Sequence, residues 1–153
     1  MRAVIQRASH ASVAVDGRIV GSIGQGLLVL LGIEHSDDTA TVERMADRVT
    51  GLRIFQDEDG RMNLSVQQVG GAVLCVSQFT LCGDVRRGRR PSFQAAAEPP
   101  VARGLYEEFC GAVERTSLVC ERGEFGAHME VELVNDGPVT IWIDSEDLNR
   151  PRR

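Results

Sequence analysis

Residues 72–83 read AVLCVSQFTLCG, and the placement of strands, helices and a site follows from how this stretch is read. Val73, Leu74, Cys75 and Val76 form an apolar run with no polar break, as expected of a buried strand. Ser77, Gln78 and Thr80 then surround Phe79 before Leu81 and Cys82 resume the apolar pattern. Polar side chains and backbone amides at the mouth of a buried strand can form a site without spoiling the core. Taken alone, the same residues better fit a strand end whose hydroxyls bond only to local backbone.

Working outward, Gly70-Gly71 leads into this strand, and residues 62–69 read as a short edge element behind it. Before that lie a strand over 52–56 and a turn at 57–60. Residues 27–33, LLVLLGI, are again continuously apolar and predict a second central strand buried on both faces. The chain opens with a strand over 2–15, turns at Asp16-Gly17, returns over 18–23 and turns again at Gly24-Gln25-Gly26. Asp37, Asp38 and Thr39 offer caps for a helix reaching Val49 or Thr50, with Gly51 placed to end it. Downstream, 91–100 reads as irregular, with room for one helical turn over 93–97, and 101–114 as a second helix with Leu105, Phe109 and Val113 on one face. Strands over 117–122, 129–134 and 139–144 close the chain, and 148–153 reads as a frayed polar tail. Strands outnumber helices, and each helix can serve as a crossover on the sheet. The expectation is an α/β layered fold with a mixed β-sheet and two main helices, forming one domain over 1–153.

Composition narrows the function classes. With 42% hydrophobic and 25% charged residues, the chain has the make-up of an ordinary soluble globular protein. No apolar run approaches the roughly 20 residues a membrane span needs, and the opening residues lack a signal-peptide core, so a cytoplasmic location with no membrane contact is expected. The four cysteines (Cys75, Cys82, Cys110, Cys120) show no C-x-x-C spacing and read as reduced thiols. His10, His35 and His128 are scattered, so neither a metal site nor a cofactor is expected. A net charge of −5 argues against a general nucleic-acid binder, yet Arg86, Arg87, Arg89 and Arg90 crowd into five residues. That loop is either simply solvated or a phosphate contact, and because the chain contains no lysine, every basic side-chain contact must be an arginine.

A second dense stretch is 123–140, GEFGAHMEVELVNDGPVT. Asn135-Asp136-Gly137-Pro138 between two strands is turn chemistry, and a plain hairpin turn is the favoured reading. Gly137-Pro138 permits more, because X-Pro bonds readily become cis and glycine accepts unusual backbone angles. A rigid cis Gly-Pro holding two carbonyls in parallel could discriminate by steric exclusion. Phe125, Ala127 and Met129 precede a strand, and for Met129 taken alone core packing is the favoured reading.

Together SQFTL (77–81), RGRRPSF (87–93), GEFGAHM (123–129) and NDGPVT (135–140), with the opening MRAVIQRASHASVAVDG and GQGLLVLLGI, resemble the D-aminoacyl-tRNA deacylase family of the Gly-cisPro type. The resemblance spans essentially the whole chain. It implies barrel-like β layers and hydrolysis of the ester joining a D-amino acid, or mischarged glycine, to the 3′-terminal adenosine of tRNA. L-aminoacyl-tRNA would be left intact. It also implies a homodimer with each site at the interface, into which Gly137-Pro138 of the other subunit reaches to exclude L side chains. Arg7 would orient those carbonyls. Ser77, Gln78, Phe79 and Thr80 would line the pocket, with the Phe79 and Thr80 amides contacting the ester carbonyl. Phe125 and Met129, with Ala127, would shape the adenosine side. Thr80 as nucleophile lacks a base near it in sequence, so assistance from the tRNA 2′-hydroxyl is favoured. The loop departs from the family's usual Lys-Gly-Asn-Arg-Pro-Ser-Phe: Arg87 keeps the lysine's charge, and Arg89 adds one. Two rivals remain: a non-catalytic RNA-binding module, and a related deacylase with a trans Gly-Pro and L-substrate specificity.

Overall fold

The computed structural model describes residues 1–150. Its organising strand is β1 (Arg2–Val15), which alternates between buried and half-buried positions over most of its length. One edge of β1 pairs antiparallel with β3 (Gly26–Gly32) and then, beyond Ala8, with β2 (Arg18–Ile23). The turn joining β1 to β2 needs positive φ at both central residues, and Asp16 (50°) and Gly17 (75°) supply it. The other edge of β1 pairs along nearly its full length with β8 (Glu130–Asp144). Parallel pairing adds β6 (Ala72–Ser77) to β3 and β7 (Cys120–Arg122) to β6. The sheet then curls until β7 meets β2. A Cβ on Gly21 of β2 would sit 2.5 Å from the Arg122 carbonyl oxygen, so only glycine allows this closure. The result is a mixed, nearly closed barrel-like sheet, as the sequence leads one to expect.

The two apolar runs are continuous because both faces of β3 and β6 are buried. Leu27, Val29, Leu31, Val73 and Cys75 join the core beneath α1 (Thr39–Thr50) and α2 (Pro99–Glu114), with Val42, Met45 and Phe109. Leu28, Leu74 and Val76 belong to a second cluster with Ala8, Val13 and Ile23. The carboxylate of Asp38 caps α1, accepting from the Thr41 amide at 2.8 Å and the Thr41 hydroxyl at 2.7 Å. The α2 helix starts two residues before the expected Val101, because prolines at the first helical positions lack only amides that would have no helical partner.

Other boundaries also shift. The strand expected over 52–56 shortens to β4 (Phe55–Gln56), and the edge element over 62–69 to β5 (Met62–Leu64). These two form a small sheet of their own. The strand expected over 117–122 begins only at Cys120, since Ser117 takes a left-handed conformation at φ 68°. Residues 129–134 and 139–144 are not the arms of a hairpin. Asn135 pairs with Ala8 and Thr140 with Gln6, so both halves of β8 run along the same partner and 135–139 loops out between them. Of the expected frayed tail, Leu148 instead ends α3 (Ser145–Leu148) and packs on the core, while 151–153 lie outside the described residues. The Met1 ammonium is buried against Asp37 at 2.6 Å, Ser145 at 2.8 Å and Glu34 at 3.1 Å. Among the described residues, no helix is long and apolar enough to cross a membrane, and all four cysteines are free thiols.

Candidate active site

The site begins where the parallel ladder ends. Leu31 pairs with Ser77, the Gln78 amide donates to the Leu31 carbonyl at 2.8 Å, and the chain then tightens into a 3₁₀ turn, Phe79–Cys82. The apolar pattern of Leu81 and Cys82 is thus a turn packed on the strand end, not a continuing strand. The first amides of any such turn have no partner within it. Among the described residues, neither the Phe79 nor the Thr80 amide has an acceptor. The side-chain amide of Gln78 donates to the Thr80 hydroxyl oxygen, which orients that hydroxyl as an acceptor. The thiol of Cys82, the last residue of this turn, is pushed up to about 11, by burial first and then by the charge of Glu34, so it stays protonated and is no nucleophile at neutral pH.

A cleft of about 600 Å³ opens beside the turn. It brings together Ser77, Gln78, Phe79, Phe125, Ala127 and Met129 from segments nearly fifty residues apart in sequence. Phe79 is 57% exposed and stands edge-on to Phe93, with ring centroids 5.1 Å apart. Across the cleft, Phe125 packs against Tyr106 at 5.9 Å, and the Arg103 guanidinium lies 4.8 Å from its ring centroid. The Tyr106 hydroxyl donates to the Cys75 carbonyl at 2.8 Å, tying this aromatic wall to β6. Burial raises the Tyr106 pKa, so it acts here as a neutral donor. Three further cleft residues were not singled out in the sequence: Phe93, Glu98 and His128. Phe93 lay in view inside RPSF. Glu98 precedes the Pro-Pro start of α2, and His128 sits between two residues already chosen, so its position in GAHM was the available signal.

Thr80 is exposed and outside the lining of this cleft; its amide, not its side chain, is the feature that bears on the site. Arg7, Gly137 and Pro138 also lie outside the lining of this chain's own cleft. They meet one another elsewhere. The Gly137–Pro138 bond is cis, and both residues are exposed on the loop over 135–139. Arg7, 5% exposed, donates to the Asp136 carbonyl at 2.9 Å and to the Ile54 carbonyl at 2.6 Å, and pairs with the Asp136 carboxylate at 3.3 Å. Asn135, read from sequence only as turn chemistry, closes the loop: its side chain donates to the Val139 carbonyl at 2.9 Å and accepts from the Val139 amide at 2.9 Å. A Cβ on Gly137 would lie 2.4 Å from the Val139 nitrogen.

The arginine loop is a third feature, and its four arginines divide. Asp84 and Ser92 bridge its base through two backbone bonds of 2.8 and 2.9 Å. Arg86 is committed to Asp84, with Nη2 at 2.6 Å from its carboxylate, and it holds the Asp84 carboxyl down at about 2. Arg87, Arg89 and Arg90 are exposed and make no ion pair among the described residues. Arg86 and Arg87 line a recess of about 560 Å³ with Asp84, Ser92 and Gln94.

Comparison with known proteins gives these features a family. The family model for D-Tyr-tRNA(Tyr) deacylase matches residues 4–144. A D-aminoacyl-tRNA deacylase of Symbiobacterium thermophilum is 58% identical over 146 residues, covering 95% of this chain and 97% of the relative. One from Koribacter versatilis is 60% identical over 146 residues, covering 95% and 98%. Among solved structures, a c-Myc DNA unwinding element binding protein superposes with a TM-score of 0.89 at 41% identity, covering 94% of this chain and 98% of that one. A probable eukaryotic D-amino acid tRNA deacylase shares the fold with a TM-score of 0.78 at 18% identity, covering 93% and 97%.

Proposed function

The chain belongs to the D-Tyr-tRNA(Tyr) deacylase family, ester hydrolases acting on D-aminoacyl-tRNA, and from that premise we propose how its cleft carries out and restricts the reaction. The observation that carries the reading is the pair of Phe79 and Thr80 amides, free of acceptors at the edge of a cleft with an aromatic wall. The terminal adenosine lies against Phe125 and Met129, and the ester carbonyl points at the two amides. Water adds to that carbonyl, the amides stabilise the oxygen that gains charge, and the 3′-oxygen leaves with a proton. The products are the free amino acid and a tRNA ending in its 3′-hydroxyl. The adjacent tRNA 2′-hydroxyl assists the proton transfer. Thr80 positions rather than attacks, a role supported by the bond its oxygen already accepts from Gln78.

Chirality is read by the Gly137-Pro138 loop of a second copy. This loop is exposed and rigidly held, and it lies outside the lining of its own cleft, which supports a homodimer with the site at its interface. Its carbonyls clash with an L side chain and tolerate the α-hydrogen of a D-residue or of glycine, so mischarged glycyl-tRNA is also cleaved. Arg87, Arg89 and Arg90 contact tRNA phosphates from the loop, and Arg86 holds that loop in shape. The setting is cytoplasmic.

The test is a paired assay of D-tyrosyl-tRNA and L-tyrosyl-tRNA, following the surviving ester. Loss of the D-ester alone is expected, and loss of both overturns the chiral filter. Cleavage of neither favours an RNA-binding module without turnover. Substrate ending in 2′-deoxyadenosine tests the proton route: undiminished cleavage returns Thr80 to the role of nucleophile.

A further inference from the structure

The turn that presents the two free amides is held from its far end by Arg2. Arg2 Nη1 donates to the Leu81 carbonyl at 2.9 Å. Its Nη2 lies 3.2 Å from a Glu34 carboxylate oxygen and its Nε 3.3 Å from an Asp144 carboxylate oxygen. Each guanidinium nitrogen is thus committed to a different part of the fold: the turn, the segment after β3, and the end of β8. The two carboxylates are themselves fixed. The other oxygen of Glu34 takes the Met1 ammonium at 3.1 Å, and the other oxygen of Asp144 takes the Glu146 amide at 3.0 Å. The donor aimed at Leu81 is therefore preset in direction.

At the near end, the Gln78 amide is fixed to Leu31 at 2.8 Å. Phe79 and Thr80 stand between these two anchors. With the Leu81 anchor gone, the far end keeps only buried Cys82, whose thiol donates weakly to the Ile33 carbonyl at 3.5 Å, and the segment between can tilt about Gln78, carrying both amides away from a carbonyl seated in the cleft. Lysine is no substitute, because one ammonium cannot present three nitrogens in a fixed plane.

We propose that Arg2 is a positioning residue for ester cleavage, setting the aim of the Phe79 and Thr80 amides through the Leu81 carbonyl. The proposal rests on the reading that those amides receive the carbonyl oxygen. It is tested in the full chain with Arg2→Gln and Arg2→Lys, by steady-state kinetics on D-tyrosyl-tRNA beside thermal unfolding. Asp38→Ala, which removes the α1 cap and whose side chain bonds only Thr41, serves as a matched loss of stability. Arg2→Gln is expected to lower kcat by about 10- to 100-fold with KM within about twofold, the signature of mis-aimed groups. Arg2→Lys should fall between it and the unsubstituted protein, and Asp38→Ala should keep its kcat at a similar drop in melting temperature. An unchanged kcat in Arg2→Gln overturns the proposal, as does a kcat loss that tracks melting temperature across all three variants. If Arg2→Gln fails to fold, Arg2→Lys carries the same test, and an unchanged kcat there overturns it. Failure of the unsubstituted protein to cleave the D-ester overturns the catalytic reading and this proposal with it, whereas cleavage with an indifferent Arg2 overturns the proposal alone.

Discussion

The turn at Phe79–Cys82 and the loop over 135–139 are each gripped by an arginine of β1 through a main-chain carbonyl, yet they are built differently. Arg2 holds Leu81 from a half-exposed position, with two carboxylates to steady it. Arg7 is buried, and it holds Asp136 together with a second carbonyl, Ile54. The turn borders its own chain's cleft; the loop is exposed and outside that cleft's lining. The loop is also closed across its base by the Asn135 side chain, whereas the turn, besides its own short-range bonds, is fixed at its ends to Leu31 and Arg2. A segment exposed outside its own chain's cleft carries its own bracing. One that works inside its own fold can borrow bracing from its neighbours.

That contrast can be broken most severely at Arg7. Arg7→Ala leaves two carbonyls without a charged donor and should lower stability by about 3 kcal/mol, or roughly 6–12 °C in melting temperature for a chain of this size. A drop under about 2 °C in thermal unfolding would show that the loop does not depend on this grip. Next comes Gly137→Ala, whose methyl would lie 2.7 Å from a Val139 methyl. The overpacking should cost about 1–3 kcal/mol. The ratio of D- to L-tyrosyl-tRNA cleavage should fall by about tenfold or more; an unchanged ratio removes the loop from chiral selection.

On the other side of the comparison, Phe93→Ala removes the ring that stands edge-on to Phe79. With about 0.5–1.5 kcal/mol in such a pair, kcat/KM on D-tyrosyl-tRNA should fall by roughly 2- to 12-fold, with little change in the D to L ratio. A change confined to the ratio would contradict the division of labour between turn and loop. The smallest effect belongs to the arginine loop. Its partner Arg86 lowers Asp84 from 3.8 to about 2, so the order this pair lends is complete above pH 3.8 and lost as pH falls through about 2. The Asp84 carboxyl carbon signal in an NMR titration should therefore stay unchanged from pH 8 to 5 and titrate with a midpoint near 2. A midpoint at the ordinary 3.8 would mean that Arg86 does not hold Asp84.

The strands buried on both faces were legible because a short, unbroken apolar run between turn residues has to be covered from every side. The Asp16-Gly17 hairpin was legible because few residues accept its two positive φ angles. The route of β8 was not. NDGP is good turn chemistry, and only the register on β1, where Asn135 meets Ala8 and Thr140 meets Gln6, shows that the chain loops out without reversing. Register depends on a partner more than a hundred residues away and leaves no local signal. The cleft was legible in its two named segments, through motif resemblance. Glu98 was not singled out because it reaches the cleft from a segment that showed no periodicity to interpret, whereas Phe93 and His128 lay inside quoted motifs and were passed over for their neighbours. Asn135 was seen and misjudged. Its side chain does bond locally, but across the Gly-Pro pair, where it holds the loop in shape rather than reversing the chain.

The absence of lysine and the burial of the Met1 ammonium have a shared chemical consequence. An aminoacyl ester is an acylating agent, and an unprotonated primary amine nearby competes with water for it, ending in a stable amide on the protein. Here no side chain is a primary amine, and the α-amino group is buried in ion pairs with Glu34 and Asp37. Guanidinium groups stay protonated at any working pH and are poor nucleophiles. A surface whose exposed cations are arginines therefore carries positive charge while leaving aminolysis no foothold, and an ester beside it is open to water but not to amide formation on a side chain.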